Sequence, residues 1–344
     1  MQAVQKVRAE FGLDVRDVPE PGAPLAGEVI VRVAATGVCG TDLHIYEWTP
    51  GYEAMTPCMP VTLGHEFSGV VDQVGSDVVG LRIGTLVAVR PSVVCGKCPS
   101  CRAGDGDDCD SRTGIGVTRD GALARIVRVP AVNCVAVPPD MDPCIAALAE
   151  PMTVSAEAVD TGEVRAGSRV LILGPGNIGQ GAALFAREAG AAQVVIAGKD
   201  DAPRLGVLRA MGFVDTVDAG ELPLAEALAS HLVQRKFDVV IEATGSPAVV
   251  QPALDMLRKR GILVIVGIHA RPASIDLTRL VRSHQQIRGS YRAPVATWTR
   301  VIAFMQRNPE RIRSMITHRL ALDRAVEGIE LSRTRAASKV LIVP

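Results

Sequence analysis

Aromatic side chains are scarce in this protein, at only 3% of its 344 residues, whereas apolar residues as a whole make up 48%. Apolar burial must therefore rest on Val, Leu, Ile and Ala, a composition that suits a parallel sheet covered by helices. Net charge is also lacking, because 37 basic and 37 acidic side chains cancel. This balance predicts neither a nucleic-acid partner nor a membrane partner.

Long apolar runs are missing as well. No uninterrupted run approaches the roughly 20 residues needed to cross a bilayer. The first residues, 1–14, mix charges with short apolar groups and lack the core of a signal peptide. We therefore expect a cytoplasmic protein.

Cysteine is confined to one part of the chain, since all eight cysteines lie between Cys39 and Cys144. Clustered cysteines in a chain without an export signal indicate metal ligands more often than disulfides. The uneven distribution is a first indication that two chemically different domains are joined, and the length allows for two.

The hydrophobic pattern changes twice along the chain. Residues 1–153 favour a β-rich domain of short alternating strands, such as 28–33 and 69–74, separated by Gly and Pro. Residues 154–294 alternate apolar strands with helical stretches, which predicts a doubly wound parallel sheet. In residues 295–344 the hydrophobic pattern changes again, and we predict that these residues rejoin the first domain. After residue 153 the predicted elements are strands 170–173, 194–196, 238–241, 262–266 and 339–343, and helices 178–189 and 298–306.

A glycine-rich loop follows the strand predicted at 170–173. Gly174, Gly176 and Gly179 match the pattern G-x-G-x-x-G, in which glycines allow a tight turn, close approach of a pyrophosphate and close helix–strand packing. The helix that starts near Asn177 and Ile178 offers free N–H groups and a positive dipole end to phosphates. Although a plain tight turn is the alternative, the strand–loop–helix context favours a dinucleotide site.

The next strand lacks the acidic residue that usually binds the adenosine ribose of NAD. Gly198 occupies the nearest position, and Lys199, Asp200 and Asp201 follow it. Lys199 could pair with the 2′-phosphate of NADP, whereas either aspartate could reach back to the ribose of NAD. An ordinary solvated turn is the third alternative, so the sequence leaves NAD and NADP open.

Four closely spaced cysteines form the strongest single pattern, and they lie in a loop at 95–109: Cys95, Cys98, Cys101 and Cys109. Four thiolates can close a tetrahedron around zinc and leave no open position, which predicts a structural zinc site. Free surface thiols are the alternative. A zinc-stabilised nucleic-acid-binding module is disfavoured because Arg102 is outnumbered by three aspartates in the same loop.

A second set of candidate ligands is spread along the chain. Cys39, His65, Glu66 and Glu150 could supply three protein ligands and leave one position open, as a catalytic zinc requires. From spacing alone, each of these residues could equally be an ordinary core or surface residue.

The order of these motifs resembles that of the zinc-containing medium-chain alcohol dehydrogenases over essentially the whole chain. The resemblance rests on the stretch 39–48, on Gly64-His65-Glu66, on the four-cysteine loop, on Glu150-Pro151 and on the glycine loop. The N-terminal half is most similar to the threonine 3-dehydrogenase and sorbitol (iditol) dehydrogenase branches.

The resemblance implies a GroES-like β-barrel catalytic domain and a Rossmann domain. It implies two zinc ions per chain, with Cys39, His65 and Glu150 around the catalytic one and Glu66 beside or behind it. Thr41 and His44 match the proton relay of the family, and Asp42 matches a residue that orients the zinc-bound histidine. The implied reaction is hydride transfer between a secondary alcohol, polyol or threonine-type amino alcohol and NAD or NADP, in a homodimer or homotetramer.

Two features depart from the family pattern, and one of them is Gly198, which replaces the acidic residue typical of NAD-linked members. Threonine dehydrogenases usually carry a histidine shortly before the cysteine loop, whereas this chain has Arg90-Pro91-Ser92, which argues against L-threonine as substrate. Tyr46, Trp48 and Tyr52 could line the substrate site or could form a packed loop. A protein that binds the cofactor without catalysis is the remaining alternative to an enzyme.

Overall fold

A computed structural model describes residues 1–232 and 236–344. The chain forms two compact units, one of Met1–Glu150 with Trp298–Pro344 and the other of Pro151–Thr297. The boundaries expected from sequence were 153/154 and 294/295. Among the described residues, no helix is long and apolar enough to span a membrane.

The first unit begins as a β structure with short helices. Its strands are β1 (Gln2–Lys6), β2 (Asp14–Asp17), β3 (Glu28–Gly37), β4 (Val61–Thr62), β5 (Glu66–Val74), β6 (Leu86–Val89), β7 (Ser92–Val93), β8 (Thr113–Gly114), β9 (Ile126–Pro130) and β10 (Cys134–Ala136). The helices are α1 (Gly40–Glu47), α2 (Pro99–Arg102), α3 (Pro143–Ala146) and α4 (Ala149–Thr161), the last of which crosses the first boundary.

The second unit alternates strands and helices. Its strands are β11 (Arg169–Leu173), β12 (Gln193–Gly198), β13 (Thr216–Asp218), β14 (Phe237–Glu242), β15 (Leu257–Ile265) and β16 (Gln286–Gly289). Its helices are α5 (Asn177–Glu188), α6 (Ala202–Ala210), α7 (Leu224–Ala227), α8 (Ala229–Leu232), α9 (Val250–Met256) and α10 (Leu277–Ser283).

The chain then returns to the first unit. The last elements are α11 (Val295–Arg307), which crosses the second boundary, α12 (Pro309–Met315), β17 (Ile316–Ala321), α13 (Ala325–Arg333) and β18 (Lys339–Val343). β18 pairs antiparallel with β3 and parallel with β17, so the last strand lies inside the largest sheet of the first unit.

The main sheet of the first unit has the order β10-β6-β5-β3-β18-β17, with β9 also paired to β3. Its core consists of valines from β3, β5, β6 and β9 with Phe67 and Ile115, in keeping with the shortage of aromatic residues. A second core cluster contains Tyr46, and Trp48 and Tyr52 pack against that cluster. The structure therefore supports a packed loop for these three aromatic residues.

The sheet of the second unit is parallel and has the order β13-β12-β11-β14-β15-β16. All five residues of β11 are buried, as expected of a strand covered on both faces by helices. The order reverses between β11 and β14, so the carboxyl ends of these two strands flank the crevice where such sheets bind ligands. The predicted strands and helices are confirmed, and with them the mixed α/β fold.

Candidate metal centres and dinucleotide loop

The four-cysteine loop brings its thiols together. The sulfur atoms of Cys95, Cys98, Cys101 and Cys109 lie within 4.8 Å of one another. The Cys95 amide donates to Cys109 Sγ at 3.2 Å, and the Cys98 amide donates to Cys95 Sγ at 3.3 Å. Hydrogen bonds from the backbone of Lys97 and Cys98 lower the pKa of Cys95 to about 6. All eight cysteines are free, so this cluster offers thiol donors of the kind that bind zinc.

Arg112 anchors this loop, a role that the sequence motif did not indicate. Its guanidinium donates to Ser92 Oγ at 2.6 Å, to the Gly106 carbonyl at 2.5 Å and to the Asp107 carbonyl. The loop therefore has a support of its own beside the thiols.

The second candidate cluster is buried and combines different donor types. Ligand atoms of Cys39, His65 and Glu66 lie within 4.8 Å of one another. Cys39 immediately precedes α1, whereas His65 and Glu66 stand at the start of β5. His65 is 7% exposed and Glu66 is 1% exposed. Sulfur, imidazole nitrogen and carboxylate oxygen are the donors used at catalytic zinc sites.

Asp42 lies beside His65 without a hydrogen bond to it. The Oδ1 atom of Asp42 is 3.7 Å from His65 Nδ1, and neither atom has a hydrogen-bond partner among the described residues. The other carboxylate oxygen of Asp42 accepts from the Cys39 amide at 2.9 Å. Asp42 is thus adjacent to the histidine, as the resemblance implies, at a separation longer than that of a hydrogen bond.

Lys339 is a member of this cluster that the sequence analysis missed. Its ammonium group donates to Glu66 Oε2 at 2.6 Å and to the Val38 carbonyl at 2.8 Å, and the residue is 2% exposed. It stands at the start of β18, far from the other members in sequence. No motif links it to Glu66, because the contact depends on the pairing of β18 with β3.

Electrostatics of the buried cluster favour an additional cation. Burial, followed by the nearby Glu66, raises the pKa of the Cys39 thiol. Burial is also the main cause that raises the pKa of Glu150 to about 7. Burial opposes charge on His65, yet Cys39 and Asp42 raise the pKa of its imidazole well above the usual value. The acidic side chains of Cys39, Asp42, Glu66 and Glu150 outnumber the basic ones of Lys339 and His65, and a divalent metal ion fits the donor set.

Glu150 occupies a less direct position than the family resemblance implied. It stands in the first turn of α4 and acts electrostatically on His65. The compact set of ligand atoms contains Glu66 and does not include Glu150 among the described residues.

The predicted relay residues share one helix. Thr41 and His44 are three positions apart on α1, a spacing that places side chains on neighbouring parts of one helix face. His44 Nδ1 lies 3.0 Å from Thr49 Oγ1, and the imidazole stacks on the Tyr52 ring at 6.0 Å between centroids. Burial lowers the pKa of His44, which keeps the imidazole neutral to lower pH than usual.

The predicted dinucleotide loop has the expected backbone. Gly174 has a φ of +103°, and a Cβ built on Gly179 would lie 1.9 Å from the Gly174 carbonyl oxygen. A side chain would strain the backbone at position 174 and would clash with the Gly174 carbonyl oxygen at position 179, so both glycines are required. α5 begins at Asn177, directly after Gly176, and Ile178 lies in its first turn.

A cationic residue that the sequence analysis did not single out lies in α6, the helix that follows β12. Arg204 forms an ion pair with the buried Asp201, and its Nη1 lies 3.3 Å from a Cβ built on Gly176. Lys199 instead lies on the exposed side, 3.4 Å from Glu221. A Cβ on Gly198 would come within 3.0 Å of Pro175, so a carboxylate at position 198 would require local adjustment.

Comparison with known proteins agrees with this arrangement of motifs. The family profile of the alcohol dehydrogenase GroES-like domain matches residues 25–139, and that of the zinc-binding dehydrogenases matches residues 177–307. The L-threonine 3-dehydrogenase of Rhizobium etli (strain CIAT 652) is 34% identical over 344 residues, covering 99% of this chain and 98% of the relative. The chain belongs to the zinc-containing medium-chain alcohol dehydrogenases.

Solved structures of similar proteins cover the whole chain. A zinc-binding dehydrogenase from Sinorhizobium meliloti 1021, solved with bound NADP, is 32% identical in sequence. Its TM-score is 0.87, and the match covers 100% of this chain and 99% of that protein. An alcohol dehydrogenase from Escherichia coli CFT073 in complex with NADH is 27% identical, with a TM-score of 0.85 over 100% and 99%. Galactitol-1-phosphate dehydrogenase from Escherichia coli is 28% identical, with a TM-score of 0.89 over 100% of both chains.

Membership of this family settles the class of activity. The protein is a zinc-dependent, NAD(P)-linked oxidoreductase that acts on small-molecule alcohols, with a GroES-like domain and a Rossmann domain. The predicted enzyme class, fold and cofactors are confirmed at this level. The alternatives, a nucleic-acid-binding module or a cofactor-binding protein without catalysis, are disfavoured.

Proposed function

We propose that the buried cluster of Cys39, His65 and Glu66 holds the catalytic zinc, and that Glu150, which interacts electrostatically with His65 and Glu66, can exchange with Glu66 as a ligand. The observation that carries this assignment is the convergence of three different donor types in one largely buried site. The loop of Cys95, Cys98, Cys101 and Cys109 then holds a structural zinc, because its four thiols would leave no position for substrate.

Each unit has a distinct part in the reaction. The first unit, with the carboxyl-terminal residues that rejoin it, supplies the metal ligands and the relay. The second supplies the dinucleotide loop, in which Gly174, Gly176 and Gly179 surround the pyrophosphate and Asn177 and Ile178 begin the phosphate-binding helix. Gly198 and Lys199 lie at the strand end that faces the adenosine ribose, where Arg204 adds a second cation.

The residues of the chain also provide a route for the proton. When bound, zinc lowers the pKa of a substrate hydroxyl and NAD(P)⁺ accepts hydride. The Thr41 hydroxyl takes up the proton from the substrate side and passes it toward His44. The half-buried imidazole of His44 can then release it to solvent, because its lowered pKa favours the neutral form.

The substrate class that we propose is a secondary alcohol or polyol, including amino alcohols of the threonine type. Similarity to a threonine dehydrogenase and to a sugar-alcohol-phosphate dehydrogenase supports this range. Arg90 argues against L-threonine itself, because the family's usual histidine is absent and the guanidinium instead donates to the Val132 carbonyl at 2.9 Å.

Initial rates with a panel of alcohols test this proposal. The panel contains L-threonine, simple secondary alcohols, sugar alcohols and their phosphates, each with NAD and with NADP. We expect reduced nicotinamide to form with secondary alcohols or polyols and to depend on zinc. Turnover only with primary alcohols, or turnover unchanged after zinc removal, would contradict the proposal.

We further propose that the protein is a homo-oligomer that works in the cytoplasm. Its free cysteines are consistent with a reducing compartment. β16 is the last strand of its sheet, and exposed apolar side chains surround it on the same unit: Leu277, Val281, Ile287, Tyr291 and Val295. A second copy could continue the sheet across a two-fold axis and cover these side chains.

Light scattering after gel filtration tests the oligomer. Val281 is 70% exposed, and Val281→Glu should shift the mass of the parent oligomer toward that of a monomer. Val79→Glu is the control, because Val79 is 95% exposed on the first unit. A monomeric parent protein, or equal masses for both variants, would contradict this interface.

A further inference from the structure

A buried Glu–His pair lies at the carboxyl edge of the parallel sheet, next to the point where the strand order reverses. Glu242 is the last residue of β14, in register with Leu173 of β11 on one side and Ile265 of β15 on the other. His269 follows β15 by four residues, and its Nε2 lies 3.0 Å from Glu242 Oε2. The Glu242 side chain is fully buried, and that of His269 is 16% exposed.

Glu242 ties together the loops that follow β14 and β15. Its Oε1 accepts from the amides of Thr244 at 2.7 Å and Gly245 at 3.0 Å, and also from the Thr244 hydroxyl. A Cβ built on Gly267 would lie 2.7 Å from Glu242 Oε2 and 2.2 Å from the Gly245 nitrogen. The two loops are therefore held in direct contact.

The same loops contact the dinucleotide loop. A Cβ built on Gly174 would lie 3.0 Å from both the Ala243 carbonyl oxygen and Thr244 Cγ2. A continuous set of contacts thus runs from the predicted pyrophosphate site through residues 243–245 to residues 267–269. His269 stands at the far end of this set.

One nitrogen of His269 has no partner in the part of the chain that the structure describes. Nδ1 is buried and makes no hydrogen bond within the described residues, although such atoms are paired in most folded proteins. Leaving a buried polar atom unpaired is unfavourable, so an orphan of this kind indicates a partner outside the chain. His269 also lines a cavity of about 420 Å³ together with Val250, Ile265 and residues 270–273. Since Ile265 ends β15 and Val250 begins α9, this cavity opens at the carboxyl edge of the sheet.

We propose that His269 is a positioning residue for the nicotinamide half of the cofactor, with Nδ1 accepting a hydrogen bond from a hydroxyl of the nicotinamide ribose. The inference rests on the proposed dinucleotide site. With the pyrophosphate at Gly174 and the adenosine toward β12, the nicotinamide riboside extends the other way, across β14 and β15.

The carboxylate of Glu242 fixes the imidazole for this task. In the tautomer whose Nε2–H donates to Glu242, Nδ1 carries a lone pair and accepts hydrogen bonds. A ribose hydroxyl can donate to that acceptor, whereas the phosphate oxygens of the cofactor cannot. Residues 270–273, which line the same cavity as His269, are exposed.

Binding of cofactor fragments to the zinc-loaded protein tests the proposal. Calorimetry with 5′-ADP reports on the adenosine half alone, whereas ADP-ribose and the intact reduced cofactor also carry the second ribose. His269→Gln keeps an amide N–H for Glu242 but lacks an equivalent of Nδ1. We expect it to weaken ADP-ribose and the intact cofactor about 5- to 10-fold and to leave 5′-ADP unchanged. The KM for the cofactor should rise by the same factor while the KM for the alcohol stays constant.

His231→Gln is the matched control. The His231 side chain is 17% exposed and pairs with Asp215 at 3.6 Å, so it resembles His269 in burial and partner. It lies at the opposite edge of the same sheet, where its carbonyl accepts from Arg169 at the start of β11. We expect this variant to bind all three probes like the parent.

The possible failures can be told apart. Equal losses for 5′-ADP and ADP-ribose in His269→Gln would show a structural effect on the whole site and would overturn the inference. Unchanged affinity for all probes would overturn it as well. If the parent protein bound none of the probes, that result would contradict the proposed dinucleotide site itself. If His269→Gln does not fold, His269→Asn gives the second comparison, because its amide oxygen can take the place of Nδ1. A 5- to 10-fold loss of 5′-ADP affinity in His269→Asn would overturn the inference.

Discussion

The two candidate metal clusters of the first unit are built in different ways. The four cysteines come from one segment, 95–109, and are half-buried in a loop with short helices. Cys39, His65 and Glu66 come from two separate parts of the chain and share a buried site with Lys339 from the last strand. One cluster is a property of a local segment, whereas the other is a property of the assembled sheet.

The way in which each cluster is assembled agrees with the role that we propose for it. A closed set of four like donors satisfies zinc completely, so its binding free energy contributes to folding. A mixed set in a preformed pocket can leave a position open for substrate, but it must be supported by the surrounding fold. Variants that damage each cluster separately should therefore give opposite outcomes.

The largest effects are expected when one ligand of each cluster is removed. Cys39→Ala should lower turnover by at least about 100-fold while leaving the fold intact, because an open site contributes little to the scaffold. Cys98→Ala should chiefly lower the free energy of unfolding, by on the order of several kcal/mol. Initial rates and denaturant unfolding of both variants measure the two effects.

Zinc analysis accompanies these measurements. We expect about two zinc equivalents per chain in the parent and about one in each variant. Cys58→Ala is the control, because Cys58 is half-buried but belongs to neither cluster. An unchanged rate for Cys39→Ala together with an unchanged stability for Cys98→Ala would show that the two roles are wrongly assigned.

A second prediction concerns the support of the buried cluster. Lys339→Met leaves the Glu66 carboxylate buried without its 2.6 Å partner, and removing one member of a buried pair costs about 3–5 kcal/mol. Denaturant unfolding of the zinc-free protein measures the loss. Lys199→Met is the matched control, because its ion pair with Glu221 is exposed and should contribute at most about 1 kcal/mol. Equal stabilities of the two variants would argue that Lys339 does not support the cluster.

The third prediction tests the proton route beside the buried cluster. His44→Ala should slow alcohol oxidation about 100-fold, a typical loss for general acid–base groups. The deficit should be greatest from neutral pH down to the lowered pKa of His44, where the parent imidazole is still neutral and hydroxide is scarce. Imidazole buffer should restore part of the rate.

His318→Ala is the control for this experiment. Its Nδ1 lies 3.0 Å from Thr317 Oγ1, the same distance that joins His44 to Thr49. If both variants had the pH–rate profile of the parent, His44 would have no part in the reaction.

The contrast between the clusters also explains what could be predicted from sequence. The cysteine loop was evident because its ligands lie within a few residues of one another, and Cys39 and His65 were found through motifs on neighbouring elements. Lys339 escaped notice because it is 273 positions from Glu66, and only strand pairing joins them. Arg204 and His269 were missed for a related reason, since each acts at a strand end whose neighbours are set by sheet order.

The last prediction distinguishes the residues that anchor the two regions. Arg112 holds the cysteine loop with a guanidinium that stays charged, whereas Lys6 holds the end of α1 with an ammonium that can titrate. Lys6 Nζ donates to the carbonyls of Glu10, Gly12 and Tyr46, and it lies 5.1 Å from the Trp48 ring centroid. Burial lowers its pKa from 10.5 to about 8.

Between these two pKa values the unfolded chain holds the proton of Lys6 more firmly than the folded chain, so this group makes the free energy of unfolding rise with pH. Lys6→Met keeps an unbranched side chain at this position and removes the titration. The difference in stability between parent and Lys6→Met, measured by urea unfolding from pH 7 to pH 10.5, should therefore move in favour of the parent as the pH rises. Arg112→Met has no titrating group to lose, and its difference from the parent should be constant over the same range. A constant difference for Lys6→Met would mean that the two anchors are equivalent and that the ammonium of Lys6 is as well solvated as one in the unfolded chain.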